Sequence, residues 1–174
     1  MRTLKGHTSS VLGVTFSPDG KQVASGLLDC TVRLWNAASR IPTQTFNGHT
    51  DHIYTVAFWP DGKLVASGLF DSTVRLWDTM GAVTQTLNCH TEAITVVAFS
   101  PDGKLVASGL LDRTVRLWNA ATSSITQTLK GHTMSACSVA HRGYRIHCAE
   151  AENPFHTKTR QVWASLTQPT AHRF

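Results

Sequence analysis

Short hydrophobic stretches alternate with polar turns along the chain, at a spacing that favours strands. The stretches VLGVTF (11–16), IYTVAF (53–58) and ITVVAF (94–99) are rich in β-branched and aromatic residues, as buried strands are. Each is followed by Pro-Asp-Gly, in which proline presets one backbone angle and glycine supplies a positive φ. No segment has the 3.6-residue periodicity of an amphipathic helix. The pattern predicts an all-β chain.

Three further strands are predicted after each of these turns. The stretch VASGL follows the turn, a tight turn around an aspartate leads into TVRLW with its period of two, and TQTF or TQTL closes the unit. The histidines His7, His49, His90 and His132 start successive units and are 42, 41 and 42 residues apart. Four short antiparallel strands in about 40 residues are typical of a propeller blade.

The repeats divide the chain into a repeat region, 1–133, and a remainder without the pattern. The predicted units are about 3–44, 45–85 and 86–127, with the start of a fourth at 128–140. From 141 to 174 there is no turn motif and little alternation, so we predict a divergent tail that is disordered or non-native. A genuine divergent extension is the alternative.

Composition excludes several classes of function. The chain of 174 residues is 41% hydrophobic and 16% charged, and its net charge of +5 includes no run of like charges. Specific nucleic-acid binding is therefore not predicted. No apolar run is long enough to span a membrane. Four cysteines without paired spacing indicate a reducing compartment, so we expect a cytoplasmic location, with the nucleus as the alternative.

No cofactor or metal site is predicted. The PDGK turns lack the spacing of a phosphate-binding loop. Cys137, His141, His147 and Cys148 carry ligand-type side chains, but their spacing matches no common zinc site.

The units resemble WD repeats, with Gly-His near the start, an aspartate in the tight turn and Trp-Asp or Trp-Asn at the end. Their lengths and near-identity are similar to the WD arrays of fungal signalling proteins that carry a NACHT domain. The resemblance implies a partial β-propeller of three complete four-stranded blades plus incomplete flanking strands.

Each unit contains a histidine, a serine, an aspartate and a tryptophan that permit two interpretations. One is a Ser-His-Asp nucleophile, but the serine lies in a strand without the G-x-S-x-G elbow, and an enzyme rarely needs three copies. In the other, which the resemblance implies, Trp, Ser, His and Asp form a buried hydrogen-bonded chain. We therefore predict no enzyme and these structural tetrads: His7, Ser25, Asp29, Trp35; His49, Ser67, Asp71, Trp77; His90, Ser108, Asp112, Trp118.

Positions that differ between the copied units indicate where a partner would bind, with unselected drift as the alternative. In a propeller they lie in loops at one end of the blades, and they include Asp51, His52, Tyr54, Phe70, Glu92, Thr95 and Arg113. Tyr54, Phe70 and Arg113 are the expected anchors because aromatic and arginine side chains dominate binding hot spots. Trp59 replaces a serine and is expected to contact a missing neighbour. Leu27, Leu69 and Leu110 are expected to pack between blades, with an apolar contact patch as the alternative.

These observations favour a non-catalytic scaffold that binds protein or peptide partners. One alternative is a truncated fragment of a larger signalling receptor without independent function. Another is an adaptor in organelle division or ubiquitin transfer. Because a partial propeller leaves blade edges open, we also expect self-association.

Overall fold

The computed structural model describes residues 3–88 and 92–130, together with the backbone of three later strands, 136–140, 145–149 and 159–163. The described residues contain no helix, and hence none that could cross a membrane. The prediction of an all-β chain is confirmed.

Three four-stranded antiparallel sheets, here called blades 1, 2 and 3, account for the repeat region. Blade 1 contains β1 (Val11–Phe16), β2 (Gln22–Leu27), β3 (Val32–Asn36) and β4 (Pro42–Phe46). Blade 2 contains β5 (Ile53–Phe58), β6 (Leu64–Leu69), β7 (Thr73–Asp78) and β8 (Val83–Asn88). Blade 3 contains β9 (Ile94–Phe99), β10 (Leu105–Leu110), β11 (Val115–Asn119) and β12 (Ile125–Leu129). Within each blade the strands are hydrogen-bonded in chain order.

The Pro-Asp-Gly turns form as the sequence requires. Gly20 has φ +70° and donates its N–H to the Ser17 carbonyl at 2.9 Å. The Ser17 hydroxyl accepts the N–H of Gln22 at 2.8 Å, and the Asp19 carboxylate accepts that of Lys21 at 3.0 Å. Side-chain acceptors thus replace backbone partners and fix the turn.

A fourth sheet follows the three blades. It contains β13 (Ala136–Ala140), β14 (Arg145–Ala149) and β15 (Thr159–Trp163), paired antiparallel in that order. β13 lies against β9 and β10, just as β9 lies against β5 and β6. Before β1, 3–10 form no strand, so no incomplete flanking strand of the kind expected from the sequence is observed in those residues. The tail prediction for 141–174 stays a prediction.

Each blade has a leading face towards the preceding blade and a trailing face towards the next. The trailing face of blade 1 and the leading face of blade 2 form one buried apolar cluster, of Ala24, Val32, Leu34, Phe46, Ile53, Val56, Phe58, Val65, Leu69 and Trp77. A similar cluster joins blades 2 and 3. Leu27 and Leu69 are fully buried, which agrees with packing; the side chain of Leu110 lies outside the described part.

A glycine on the trailing face makes room for an isoleucine of the next blade. A Cβ atom added to Gly26 would lie 2.6 Å from Cγ2 of Ile53. At Gly68 the corresponding distance to Cγ2 of Ile94 is 2.7 Å. Both separations are far below van der Waals contact, so the blades approach this closely only because no side chain is present.

Gly26→Ala will therefore lower the free energy of unfolding by about 1–3 kcal/mol, the usual cost of overpacking. Denaturant midpoints measure the change. The double variant Gly26→Ala/Ile53→Leu lacks the clashing Cγ2 methyl and should be less destabilised than the sum of the single variants. An unchanged midpoint for Gly26→Ala would show that the blades are not held at this separation.

Trp59 joins blades 2 and 3. Its ring lies 4.8 Å from that of Phe99, and a Cβ atom on Gly103 would lie 2.6 Å from its indole nitrogen. The expectation that Trp59 contacts a missing neighbour is therefore wrong, because blade 3 covers it. Between blades 1 and 2 the corresponding residue is Ser17, and there a cleft of about 490 Å³ is lined by Ser17, Pro18, Asp19, Gln22, Pro60, Asp61, Gly62, Lys63 and Thr79.

Candidate functional site

A tryptophan, a serine and a histidine form a hydrogen-bonded network inside the blades. In blade 2 the indole Nε1 of Trp77 donates to the hydroxyl of Ser67 at 2.8 Å, and Nε2 of His49 lies 2.6 Å from the same oxygen. In blade 1, Trp35 donates to Ser25 at 2.9 Å, with His7 at 3.1 Å. In blades 1 and 2 these contacts tie the loop before the blade to its second and third strands.

Blade 3 repeats the network in its described part. Trp118 donates to Ser108 at 2.8 Å, and both side chains are buried. The Asp112 carboxylate accepts the N–H and the hydroxyl of Thr114 at 2.8 and 2.7 Å. His90, the fourth member of this tetrad, lies outside the described residues.

The aspartate joins the network differently from the sequence expectation. The Asp71 carboxylate accepts the N–H and hydroxyl of Thr73 at 3.0 and 2.7 Å and the hydroxyl of Thr50 at 3.2 Å. Nδ1 of His49 is buried without a hydrogen-bond partner in the described part of the chain, so the expected His49–Asp71 hydrogen bond is not formed. In blade 1 the Asp29 carboxylate likewise accepts from Thr8 and Thr31, at 2.7 and 2.6 Å. In blades 1 and 2 the threonine after the histidine therefore makes the link to the aspartate.

All three residues of the Gly-His-Thr motif consequently have separate partners. The Gly48 carbonyl accepts a hydrogen bond from Nη1 of Arg75 at 2.6 Å, and Gly6 accepts one from Arg33. Gly48 has φ +130° and Gly6 has φ +118°, values that side-chain-bearing residues rarely adopt. Each arginine therefore holds the loop whose histidine reaches the serine.

Burial sets the protonation of the network. Burial, followed by the nearby Arg75 guanidinium, lowers the pKa of His49 to about 3. The pKa of His7 is lowered by the same two causes, with Arg33 as the cation. For Asp29, burial alone would raise the pKa, but hydrogen bonds from Thr31 and Thr8 hold it below its usual value. Near neutral pH the buried His49 imidazole is therefore neutral and the Asp29 carboxylate is charged.

The network lacks the chemistry of a nucleophile. The Ser25, Ser67 and Ser108 hydroxyls are buried, and each already accepts an indole N–H. A nucleophile needs an exposed oxygen and a base free to take its proton. These serine hydroxyls lie within reach of a histidine but are buried away from any substrate, and their contacts fix strands and loops.

No metal site is evident in the described part of the chain. There, no group of three or more His, Cys, Asp or Glu could hold a metal ion. The ligand-type side chains at Cys137, His141, His147 and Cys148 fall outside the described side chains.

The variable positions lie at one end of the blades, here called the upper rim. This end contains the loop that enters each first strand and the turn that follows each second strand. The two are joined by backbone hydrogen bonds, from Leu28 N–H to the Ser10 carbonyl, from Phe70 N–H to the His52 carbonyl and from Leu111 N–H to the Ala93 carbonyl. The Pro-Asp-Gly turns lie at the opposite, lower end.

Two predicted anchors are neighbours on the upper rim of blade 2. The rings of Tyr54 and Phe70 are 6.2 Å apart and tilted by 40°, and the side chains are 38% and 51% exposed. His52 donates from Nδ1 to the Leu28 carbonyl at 2.6 Å and so joins the rims of blades 1 and 2. An exposed aromatic pair on a fixed backbone is the type of surface that becomes a hot spot.

The remaining predicted residues of the upper rim do not form a cluster with the aromatic pair. Asp51 is half-buried and accepts the N–H of His52 at 2.7 Å. Glu92 and Arg113 are exposed at blade 3, whereas the Thr95 hydroxyl donates to the Gly109 carbonyl within its own blade at 3.1 Å. The structure therefore brings Tyr54, Phe70 and His52 together and leaves the charged residues at the periphery.

Two features of the upper rim are difficult to recognise in the sequence: additional exposed leucines and positive φ angles at residues other than glycine. Leu12 and Leu111, the counterparts of Tyr54 and Phe70, are exposed and add apolar surface in blades 1 and 3. Cys30, Ser72 and Arg113, directly after the turn aspartate, adopt φ of +65°, +68° and +67°. Such angles favour glycine, so all three turns are tight although none of the three residues is glycine.

Comparison with known proteins gives a family match over most of the repeat region. The model described as WD domain, G-beta repeat matches 1–36, 40–78 and 81–119, more than half of the chain. Each match contains the tryptophan of one blade and ends at or just after its third strand. Repeats of this type generally form interaction folds without catalytic activity.

Individual relatives match over about one repeat. The Notchless protein homolog of Arabidopsis thaliana is 54% identical over 44 residues, 25% of this chain and 9% of the relative. The vegetative incompatibility protein HET-E-1 of Podospora anserina is 58% identical over 38 residues, 22% of the chain and 3% of the relative. The POC1 centriolar protein homolog A of Danio rerio is 49% identical over 35 residues, 20% of the chain and 8% of the relative. The matches thus span less than a tenth of each of these relatives.

Proposed function

Because the chain belongs to the WD-repeat family, whose repeats serve generally as protein-interaction scaffolds, we propose that it is a non-catalytic scaffold that binds a protein or peptide on its upper rim. The observation that supports this location is the exposed Tyr54–Phe70 pair on otherwise copied blades. The buried serines support a role without nucleophilic chemistry.

The proposed site has an apolar centre and a charged periphery. Tyr54 and Phe70 supply the centre, with Leu12 and Leu111 exposed on the adjoining blades. Glu92 and Arg113 are exposed at blade 3. Interfaces commonly have this arrangement, in which aromatic anchors are surrounded by polar residues that exclude water. The best-fitting partner is an extended peptide or loop with apolar side chains.

The triple variant Tyr54→Ala/Phe70→Ala/Arg113→Ala tests the site. Peptides selected from a random library on the wild-type chain should lose at least about tenfold in affinity for this variant, since each hot-spot truncation costs more than about 1 kcal/mol. Thermal unfolding should stay nearly unchanged because these side chains are exposed. Calorimetric titration with the selected peptides measures the affinity.

A matched control truncates one charged and two apolar residues of the lower end. Ile41→Ala/Met80→Ala/Lys63→Ala removes side chains that are exposed to a similar or greater extent. The control should bind the peptides as the wild type does. Selected peptides that bind the upper-rim variant with wild-type affinity would place the binding surface elsewhere.

A second candidate function is a part in a longer signalling protein without an independent role. It is favoured by the small share of each relative that the chain matches and by the similarity to the vegetative incompatibility protein. A chain that selects no peptides above background and unfolds without cooperativity would support it. The role in organelle division or ubiquitin transfer and the cytoplasmic or nuclear location stay predictions.

A further inference from the structure

The cleft at the lower end of blades 1 and 2 has a counterpart between blades 2 and 3, and that counterpart is filled. There the indole of Trp59 lies over Gly103, on which a Cβ atom would be 2.6 Å from Nε1 and 3.0 Å from Cε2. The same ring packs against the buried cluster that contains Phe99 and Ala120. A tryptophan side chain thus fills the space between the lower ends of two neighbouring blades.

Between blades 1 and 2 the corresponding residues leave this space open. Ser17 stands at the position of Trp59, and Gly62 stands at the position of Gly103. In the described part of the chain, a Cβ atom added to Gly62 would meet a single atom within 4 Å, Cδ of Pro18 at 3.6 Å. The side of Gly62 that corresponds to the indole-covered side of Gly103 is therefore accessible.

The cleft is large enough for an aromatic ring. Its volume is about 490 Å³, whereas a cavity of about 150 Å³ already admits benzene. Both of its walls lie within 3–88, which the structure describes without a gap, and each wall belongs to a complete four-stranded sheet. The space is therefore a property of the contact between two whole blades.

Two polar side chains distinguish the cleft from the filled space. Gln22 and Thr79 line it, at the positions that Leu64 and Ala120 have between blades 2 and 3. Both are half-buried, and neither side chain has a hydrogen-bond partner among the residues that the structure describes. Their oxygens can accept the N–H of an indole, a group that a phenylalanine ring lacks.

We propose that the cleft between blades 1 and 2 binds the indole side chain of a tryptophan on a partner protein. The bound ring lies over Gly62 as the ring of Trp59 lies over Gly103, and its N–H donates to Gln22 or Thr79. This site is at the opposite end of the blades from the upper rim, so it does not depend on the function proposed for that rim.

Charge does not select the partner at this site. The Asp19 carboxylate lies 3.7 Å from Nζ of Lys21, and Asp61 and Lys63 add one charge of each sign at the cleft. Shape and apolar area therefore determine the contact, and its affinity should change little with salt concentration.

Titration of the ¹⁵N-labelled full chain with N-acetyltryptophanamide, followed by NMR, tests the proposal. The backbone amides of Gly62 and Thr79 should shift in a saturable manner. N-acetylglycinamide, which lacks the ring, should leave both amides unchanged. N-acetylphenylalaninamide should bind about threefold more weakly or worse, because its ring cannot donate a hydrogen bond.

Two reciprocal variants test whether the ring occupies this space. Ser17→Trp supplies an indole from the chain itself, as in blade 2, where the turn forms with Trp59 in place of serine. This variant should melt close to the wild-type temperature and lose binding of N-acetyltryptophanamide. The control Ser39→Trp adds an exposed tryptophan outside the cleft and should bind the probe as the wild type does.

Trp59→Ser opens the space between blades 2 and 3 and should add a second binding site, with saturable shifts at Gly103 and Ala120. A folded Trp59→Ser chain without this second site would contradict the proposal, even if Ser17→Trp did not fold.

Three further outcomes would overturn the proposal. The first is a wild-type chain whose Gly62 and Thr79 amides do not shift up to the solubility limit of the probe. The second is a folded Ser17→Trp chain that binds the probe with wild-type affinity. The third is loss of binding in Tyr54→Ala/Phe70→Ala, which would place the indole on the aromatic pair of the upper rim.

Discussion

Trp77→Ala will lower the free energy of unfolding by about 3–5 kcal/mol, the usual cost of removing a large buried aromatic side chain. Trp77 is fully buried, its ring stacks on Phe46 at a centroid distance of 5.4 Å, and its indole donates to Ser67. The change therefore opens a cavity between blades 1 and 2 and also leaves the serine without its donor. Equilibrium denaturation measures the loss.

Two further variants separate these contributions. Trp77→Phe keeps much of the apolar contact with Phe46 but lacks the indole N–H, so we expect a smaller loss of about 1–2 kcal/mol. Tyr54→Ala removes an exposed aromatic side chain and should change stability by less than about 1 kcal/mol. If Trp77→Ala lowered the free energy of unfolding by less than about 1 kcal/mol, as expected for Tyr54→Ala, the structural role of the network would be contradicted.

Acidification will destabilise the chain well before its carboxylates are protonated. The pKa of His49 falls from 6.5 in an unfolded chain to about 3 in the blade. Below pH 6.5 the unfolded state therefore binds a proton at this histidine, whereas the folded state does not. The free energy of unfolding consequently decreases as the pH falls towards 3. The slope approaches about 1.4 kcal/mol per pH unit for one such histidine, or a loss of about 2 kcal/mol between pH 7.5 and pH 5. The lowered pKa of His7 acts in the same direction.

The physical reason is that protonation would add a second N–H to an imidazole whose Nδ1 has no partner and would place a charge beside Arg75. Chemical denaturation at several pH values gives the profile. His49→Gln lacks the titrating group, so its stability should be lower at pH 7.5 but less dependent on pH down to 5. Parallel profiles for wild type and variant would rule out His49 as the source.

The strands and turns could be predicted because their signals are local. β-branched runs, Pro-Asp-Gly and the period of two in TVRLW each determine the conformation of a few adjacent residues, and the repeats confirm one another. The Trp–Ser–His contacts were expected from the resemblance to WD repeats.

The remaining features depend on which neighbour reaches a given atom, and the sequence does not state that. The sequence expectation linked His49 to Asp71, but Thr50, one residue further along, reaches the carboxylate instead. Trp59 looked like an unpaired surface residue because the space it fills is created by Gly103 of the next blade. Likewise Tyr54 and Phe70 are 16 residues apart in sequence and become neighbours only through the pairing of β5 with β6.

The glycine–isoleucine contact that joins neighbouring blades has a consequence for how a gene of this kind can gain or lose repeats. Blade 2 carries both halves of the joint: Gly68 on its second strand receives Ile94 of blade 3, and Ile53, which opens its first strand, fits against Gly26 of blade 1. The polar network closes within the unit, from the loop histidine to the tryptophan of the third strand. A DNA segment that encodes one unit can therefore be duplicated in tandem without any compensating change at the seam. Unequal recombination between near-identical units can then add or remove whole blades in a single event.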